Sequence, residues 1–327
     1  MPLHALILLH RRFSLNRKVL KQTIGSPANF LNPAFSHGGI LMTRNRGYFY
    51  MVIAALLWST AGVFLKMIDW HPLVTSSFRS AIAAMILWAF LRKEKLYHLQ
   101  IDCHTLLAGF CLGITTVLFV IANKITTAAN AIMLQSVSPI FVLIFNAART
   151  KTRPLTSDLW AVSMVLLGVF LFFLSDLAFG NILGNLSALL SGVLLAGAYV
   201  CTADASNLHA AMSGVLLGHL LSAVIGLPFL LMTPILFTPS SVVAILFLGI
   251  FQLGISYVLF SYAVQTCGSL AVSLLSMLEP ICSPIWVALF VGEIPGSLAL
   301  LGGMLVLITL FLRYIATAYA TQNNSLS

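Results

Sequence analysis

The chain has 327 residues, 60% of them hydrophobic and 8% charged, with a mean hydropathy of +1.01. A soluble domain carries roughly 25% charged residues, so the composition excludes a water-soluble globular protein and calls for lipid as solvent, in spans of about 20 residues. The formal net charge of +9 is concentrated at the start: Arg11, Arg12, Arg17, Lys18, Lys21, Arg44 and Arg46 all precede the first acid, Asp69, a pattern of membrane topology and not of nucleic-acid binding.

The first 46 residues form a basic tail. It is rich in Arg and contains Ser but no acid, so it reads as an organellar transit segment, as a disordered cytoplasmic tail, or as an upstream start ahead of a natural beginning near Met42. The apolar run Leu3 to Leu9 is short and no Lys or Arg precedes it, unlike a secretory signal. Apolar runs bounded by charge, Pro or Gly then predict ten spans, the first five near Tyr48 to Met67, Pro72 to Leu91, Thr105 to Ala122, Ala128 to Ala147 and Leu159 to Ser175. After a turn at Gly180 to Gly184 the rest lie near Leu186 to Thr202, Ala211 to Met232, Val242 to Tyr262, Leu270 to Val291 and Leu298 to Tyr314.

Basic residues near span ends stay on the cytoplasmic side. This rule places the tail, Arg92/Lys93/Lys95, Arg149/Lys151/Arg153 and Arg313 inside, leaving Lys66 and Lys124 outside and Arg79 within the second span. Both termini are then cytoplasmic, in a multi-pass protein of the cell inner membrane or, in the transit reading, of an organelle.

The second half repeats the first. At an offset of 141, Pro139 falls on Pro280 and Pro154 on Pro295, in a chain with only 12 prolines. At an offset of 135, Ala61-Gly62 falls on Ala196-Gly197 and Asp69 on Asp204. Five spans per repeat force the second copy to enter the membrane from the other face, so equivalent loops should differ in charge. The Arg149 to Arg153 loop corresponds to Phe290-Val-Gly-Glu-Ile294, and Arg92 to Lys95 corresponds to Thr233 to Ser241, neither with a Lys or Arg. The expected fold is therefore all-α and integral to the membrane, ten helices as two inverted five-helix repeats: tail 1–46, repeats 47–180 and 181–318, and a cytoplasmic tail 319–327. Such repeats are common in secondary transporters, with the substrate site between the halves near the midplane.

Ionisable groups inside the hydrocarbon are costly and mark function or a structural partner. Arg79 and His219 lie near the middle of the second and seventh spans, and Glu279 near the middle of the ninth, just before Pro280; Ser138-Pro139 is its uncharged counterpart in the fourth. Each proline frees a carbonyl about one turn earlier, at Gln135 and Ser276, either as a ligand for a polar substrate or as a passive kink. Glu279 is a candidate proton-coupling group or a structural hydrogen-bond partner, and Arg79 a helix anchor or a carboxylate site. His219 reads either as a satisfied core residue or as part of the coupling machinery. Trp58, Tyr199, Tyr257 and Tyr262 offer an aromatic wall, or ordinary packing. Gly109/Gly113 and Gly214/Gly218 have the spacing of close helix packing. The five cysteines lack disulfide or zinc spacing. No hydrolase, P-loop or zincin motif is present, so neither enzyme chemistry nor a cofactor or metal is indicated.

Taken in order, these residues resemble the EamA-type carriers of the drug/metabolite transporter superfamily over about Tyr48 to Ala316. Ala54-Ala-Leu-Leu-Trp-Ser-Thr-Ala-Gly-Val-Phe64 looks like the family's first helix, followed by Phe78-Arg79, Glu279-Pro280, Phe290-Val-Gly-Glu293 and Gly302-Gly303. The resemblance implies a cavity walled by helices 1, 3, 4, 6, 8 and 9, with Trp58, Pro139, Tyr199, Tyr257, Glu279 and Pro280 in or near its wall and with Arg79 and His219 more peripheral. Where the second repeat has Gly292-Glu293 the first has Lys151-Thr152, which favours a capping or gating role for Glu293. The substrate site then comprises Trp58, Gln135, Ser138, Pro139, Tyr199, Tyr257, Glu279 and Pro280, and Glu279, Arg79 and His219 couple or orient. The expected activity is export of a small metabolite, an amino acid or related amphiphile, by alternating access. The partners are that substrate, membrane lipid and protons as coupling ion, with no nucleic acid and the oligomeric state open. Uptake or exchange, and a sensor or scaffold without turnover, are the alternatives.

Overall fold

A computed structural model describes residues 44–96, 98–126, 128–174, 181–291 and 297–325. The predicted tail up to residue 43, Gly180 and the Gly292-Glu293 loop lie outside the described residues. Every described element is helical. Among the described residues, seven helices are long and apolar enough to cross a membrane, and three shorter apolar helices are Thr156–Phe172, Ser269–Ser283 and Leu300–Ala316. All fall on predicted spans, so the chain is an all-α, multi-pass membrane protein.

Several spans are interrupted. The first comprises α1 (Arg44–Trp58) and α2 (Ala61–Lys66), broken where the Ser59 and Thr60 hydroxyls donate back to the Leu56 and Leu57 carbonyls at 2.7 and 2.6 Å and so compete with the helical ladder. α3 (Pro72–Lys93) starts at His71, whose ring Nδ1 accepts from the Leu73 N–H. It ends in a Schellman turn, the Lys95 N–H on the Arg92 carbonyl and the Leu96 N–H on the Leu91 carbonyl, with Lys95 left-handed at φ 59°. α4 (Cys103–Ile125) is capped by Asp102, which accepts from the Thr105 N–H at 2.7 Å.

The fourth span is α5 (Ala128–Gln135) and α6 (Ser138–Thr150), and the fifth is α7 (Thr156–Phe173). α8 (Ile182–Ala203) and α9 (Leu208–Met232) follow. The eighth span starts as α10 (Pro239–Phe247), widens into a π-helix at Leu248–Ile255 and returns to α as α11 (Ser256–Cys267). The ninth is α12 (Ser269–Leu275) and α13 (Leu278–Val291), and α14 (Ser297–Ser325) continues past Tyr314, where sequence ended the last span and placed a tail from 319.

The packing recurs between the halves. α4 lies on α8 as α11 lies on α1, and α4 crosses α9 as the π-helix crosses α3. α3 pairs with α9, α6 with α12 and α7 with α14. Even single bonds recur: Lys124 Nζ donates to the Ile68 carbonyl at 2.5 Å and Gln265 Nε2 to the Thr202 carbonyl at 2.7 Å, one near the end of the third span and the other near the end of the eighth. The four glycines form the predicted seam, since a Cβ at Gly113 would sit 2.8 Å from the Gly218 carbonyl and one at Gly218 3.0 Å from that of Gly109. Large apolar side chains such as Met85, Leu231 and Leu301 face outward, while small residues and aromatics fill the centre, as expected where lipid supplies the apolar solvent.

Candidate functional site

The centre of the bundle is an aromatic and polar cluster drawn from six spans. Trp58, the last residue of α1, donates its Nε1–H to Ser256 Oγ at 2.8 Å, at the start of α11. Ser256 in turn bonds the Gln252 carbonyl of the π-helix at 2.5 Å. The eight-residue widened segment ends just before Ser256, and π-helical turns are frequent at functional sites. The Trp58 ring lies 5.1 Å from Tyr257 and 5.9 Å from Phe260, and Tyr199 on α8 closes the group at 5.5 Å from Phe260.

The ionisable groups meet here. His219 on α9 is fully buried and stands edge-on to Tyr257, ring centroids 4.8 Å apart at 77°. Arg79 on α3 is 2% exposed, within electrostatic reach of both Tyr257 and Glu279. Tyr199 and Tyr257 are themselves electrostatic neighbours of Glu279, and Tyr199 faces Ser276 at the α12/α13 break. Glu279 is half-buried at the start of α13, with Arg79 as its electrostatic partner. Arg79 and His219 are therefore central, not peripheral as the resemblance implied: α3 and α9 pack as a pair, with Arg79 in electrostatic reach of Tyr257 and Glu279 and His219 against the Tyr257 ring.

Several buried polar atoms of the cluster have no hydrogen-bond partner among the described residues: Nε and Nη1 of Arg79, both ring nitrogens of His219, and Oε1 of Gln252. A buried donor or acceptor without a partner costs roughly 1–3 kcal/mol, more when charged, so these atoms are the ones a polar group entering the cluster would satisfy first. The cluster offers guanidinium donors, a carboxylate and aromatic faces, groups that can hold a polar small molecule.

The proline breaks differ from expectation. The fourth span opens at Ser136–Val137 and the ninth at Ser276–Met277, each a few residues before its proline. The Ser276 carbonyl is not freed, because the Glu279 N–H takes it at 2.9 Å in a tighter turn. The Gln135 carbonyl faces Gly192, where a Cβ would approach it to 2.7 Å, and the Gln135 amide donates to Ser191 Oγ at 3.2 Å. Gln135 thus contacts α8 eight residues before Tyr199, about 12 Å along the axis, and the aromatic cluster does not include it. Ser138 and Pro139 are buried at the start of α6, with Ser138 Oγ unpartnered, and Pro280 is buried beside Glu279. Tyr262 packs between Tyr50 and Phe90, away from the centre.

Sequence reasoning missed Ser59, Gln252, Ser256 and Trp286. Trp286 donates to Ser59 Oγ at 2.8 Å, tying α13 to the break in the first span. Only Gln252 carried a signal, as the lone amide in Leu248-Gly-Ile-Phe-Gln-Leu-Gly-Ile255.

This combination, an apolar helical bundle with ionisable groups buried inside it, is that of a multi-pass membrane protein. The EamA-like transporter family matches residues 45–174 and 182–315, once in each half of the chain. The chain belongs to that family. It is 24% identical over 295 residues to an uncharacterized transporter of Archaeoglobus fulgidus, covering 82% of this chain and 97% of the relative. It is also 28% identical over 208 residues to the uncharacterized transporter YcbK of Bacillus subtilis, covering 59% and 65%, and 29% identical over 140 residues to the uncharacterized inner membrane transporter YicL of Salmonella typhimurium, covering 39% and 47%. A solved crystal structure shares the fold at TM-score 0.70 and 17% identity, covering 82% of this chain and 96% of its own. The protein is a membrane transporter of a small-molecule substrate.

Proposed function

We propose that the protein is a secondary carrier of the cell inner membrane that exports a small zwitterionic or amphiphilic metabolite, an amino acid or close relative, by alternating access. The observation that carries this reading is the convergence of Arg79 and Glu279, from the second and ninth spans, on Tyr257. A substrate carboxylate meets the unpartnered guanidinium nitrogens, an ammonium meets Glu279, and Trp58, Tyr199 and Tyr257 bound the apolar part. Ser138, Pro139 and Pro280 supply the bend of the two broken spans, while Gln135 holds the fourth span on α8.

The ten apolar helices are read as two inverted repeats, 47–180 and 181–318, with both termini cytoplasmic. The recurring contacts of the two halves support this, as does the paired loop charge. At the end read as cytoplasmic, Arg149 pairs with Asp204, and Asn146 Nδ2 donates to Ser269 Oγ at 3.0 Å. These bonds tie the fourth span to the sixth and ninth, and opening toward the cytoplasm breaks them. Protons are the proposed coupling ion, since Glu279 has to shed or pair its charge whenever the site closes around it.

Counterflow in proteoliposomes with a panel of labelled amino acids and related amphiphiles tests the reading. Accelerated exchange of at least one zwitterion is expected. Binding without exchange by folded protein would contradict it and favour a sensor. Topology is read from single cysteines at Thr152 and Gly292, which should label from opposite faces.

A further inference from the structure

On the outer surface, α3 and α9 enclose a groove of about 520 Å³, with Ala81, Ala84 and Ala223 as its floor and Met85, Trp88, Leu91, Leu216 and Leu220 among its walls. The small floor residues recess it, and the exposed Trp88 and Met85 form its rim. Its extent matches half a bilayer: from Ala81 to Arg92 the helix rises about 16 Å, against a hydrocarbon core of about 30 Å.

One end is polar. Arg92 lines the groove and lies over the Trp88 ring, 4.7 Å from its centroid. The Schellman turn that closes α3 sets Lys93 and Lys95 beside it, both exposed, with Glu94 as the single acid between them. The same turn folds Leu96 back so that it lines the groove next to Leu91. A chain-wide apolar slot thus ends under a cluster of three cations and one anion, at the depth of a headgroup.

We infer that this groove is a binding site for a phospholipid with an anionic headgroup, its phosphate at Arg92 and one acyl chain along the α3/α9 slot toward Ala81. A zwitterionic headgroup gains less from the cation cluster, because its own ammonium opposes it. The lipid clamps the two helices that carry Arg79 and His219, so occupancy steadies the pair behind the central cluster. The binding claim stands apart from the proposed transport function, since neither its residues nor its ligand enter the central site.

The test is native mass spectrometry of the full chain released from vesicles holding equal parts of phosphatidylglycerol and phosphatidylcholine. The wild type should retain phosphatidylglycerol in preference. Arg92→Gln should lower that preference about fivefold, the effect of one interfacial basic side chain, and Ala81→Phe, which fills the deep end while leaving the cations intact, should lower retention of both lipids. Equal retention of the two lipids by the wild type would overturn the inference. So would an unchanged preference in Arg92→Gln together with unchanged retention in Ala81→Phe.

Discussion

Trp58 Nε1 donates to Ser256 Oγ at 2.8 Å, across 198 residues of sequence, joining the end of α1 to the residue where the π-helix gives way to α11. The bond fixes the indole plane against Tyr257, so the aromatic wall is set by a hydrogen bond as well as by packing. Trp58→Phe keeps the ring burial and leaves Ser256 bonded to Gln252. It should cost about 1 kcal/mol, the net worth of one such bond, whereas Trp58→Ala should cost about 3–5 kcal/mol. Unfolding of the purified protein in mixed micelles checks both; a Trp58→Phe variant as stable as the wild type would show that the bond does not hold the ring.

The glycine seam between α4 and α9 gives a steric contrast. A Cβ at Gly113 meets the Gly218 carbonyl at 2.8 Å and Leu221 at 2.9 Å, whereas one at Gly62 meets only Ser283 Oγ, at 3.4 Å. Gly113→Ala should destabilise by about 1–3 kcal/mol, in the range of overpacked cores, and Gly62→Ala should be near neutral. Thermal unfolding in detergent separates them.

Lys151 closes α6 in the left-handed region, at φ 53°, where a side chain costs roughly 1–2 kcal/mol. The repeat offset puts Gly292 opposite it, so the second half has the residue this conformation favours. Lys151→Gly should raise the unfolding temperature and Lys151→Val should lower it. The same order of stabilities is not expected at Lys93, which is helical.

Asp102, outside the spans, is held below the usual carboxylate range, first by the Thr105 backbone N–H and then by its hydroxyl, with nearby His104 adding to this and partial burial opposing it. A lowered folded pKa means that the cap's contribution is present above the unfolded value and is lost as pH falls through the folded one. Asp102→Asn keeps the acceptor and should flatten the acid limb of stability, measured by thermal melts between neutral pH and the carboxylate range. An unchanged acid limb would place the titrating group elsewhere.

Much of the fold is legible in sequence because hydropathy, positive charge and small-residue spacing are one-dimensional signals. The span positions, the Gly109/Gly113 seam against Gly214/Gly218 and the ionisable trio Arg79, His219 and Glu279 all come from them. What sequence does not carry is which faces of distant helices meet: nothing in the spacing of Arg79 or His219 shows that both turn toward Tyr257. The π-helix is equally hidden, since Leu248–Ile255 is uniformly apolar save for Gln252, and hydroxyl partners such as Ser59 and Ser256 look like any small core residue. Backbone rules misled at Pro280, where a tighter turn gives the Ser276 carbonyl a new donor.

The most direct test of the central site is counterflow of the best substrate in proteoliposomes, with and without an imposed pH gradient, for the wild type, Arg79→Met and Glu279→Gln. Arg79→Met should abolish exchange of carboxylate-bearing substrates, and Glu279→Gln should retain exchange but lose its response to the gradient. Wild-type exchange and gradient response in both variants would contradict a substrate and proton site at Arg79 and Glu279.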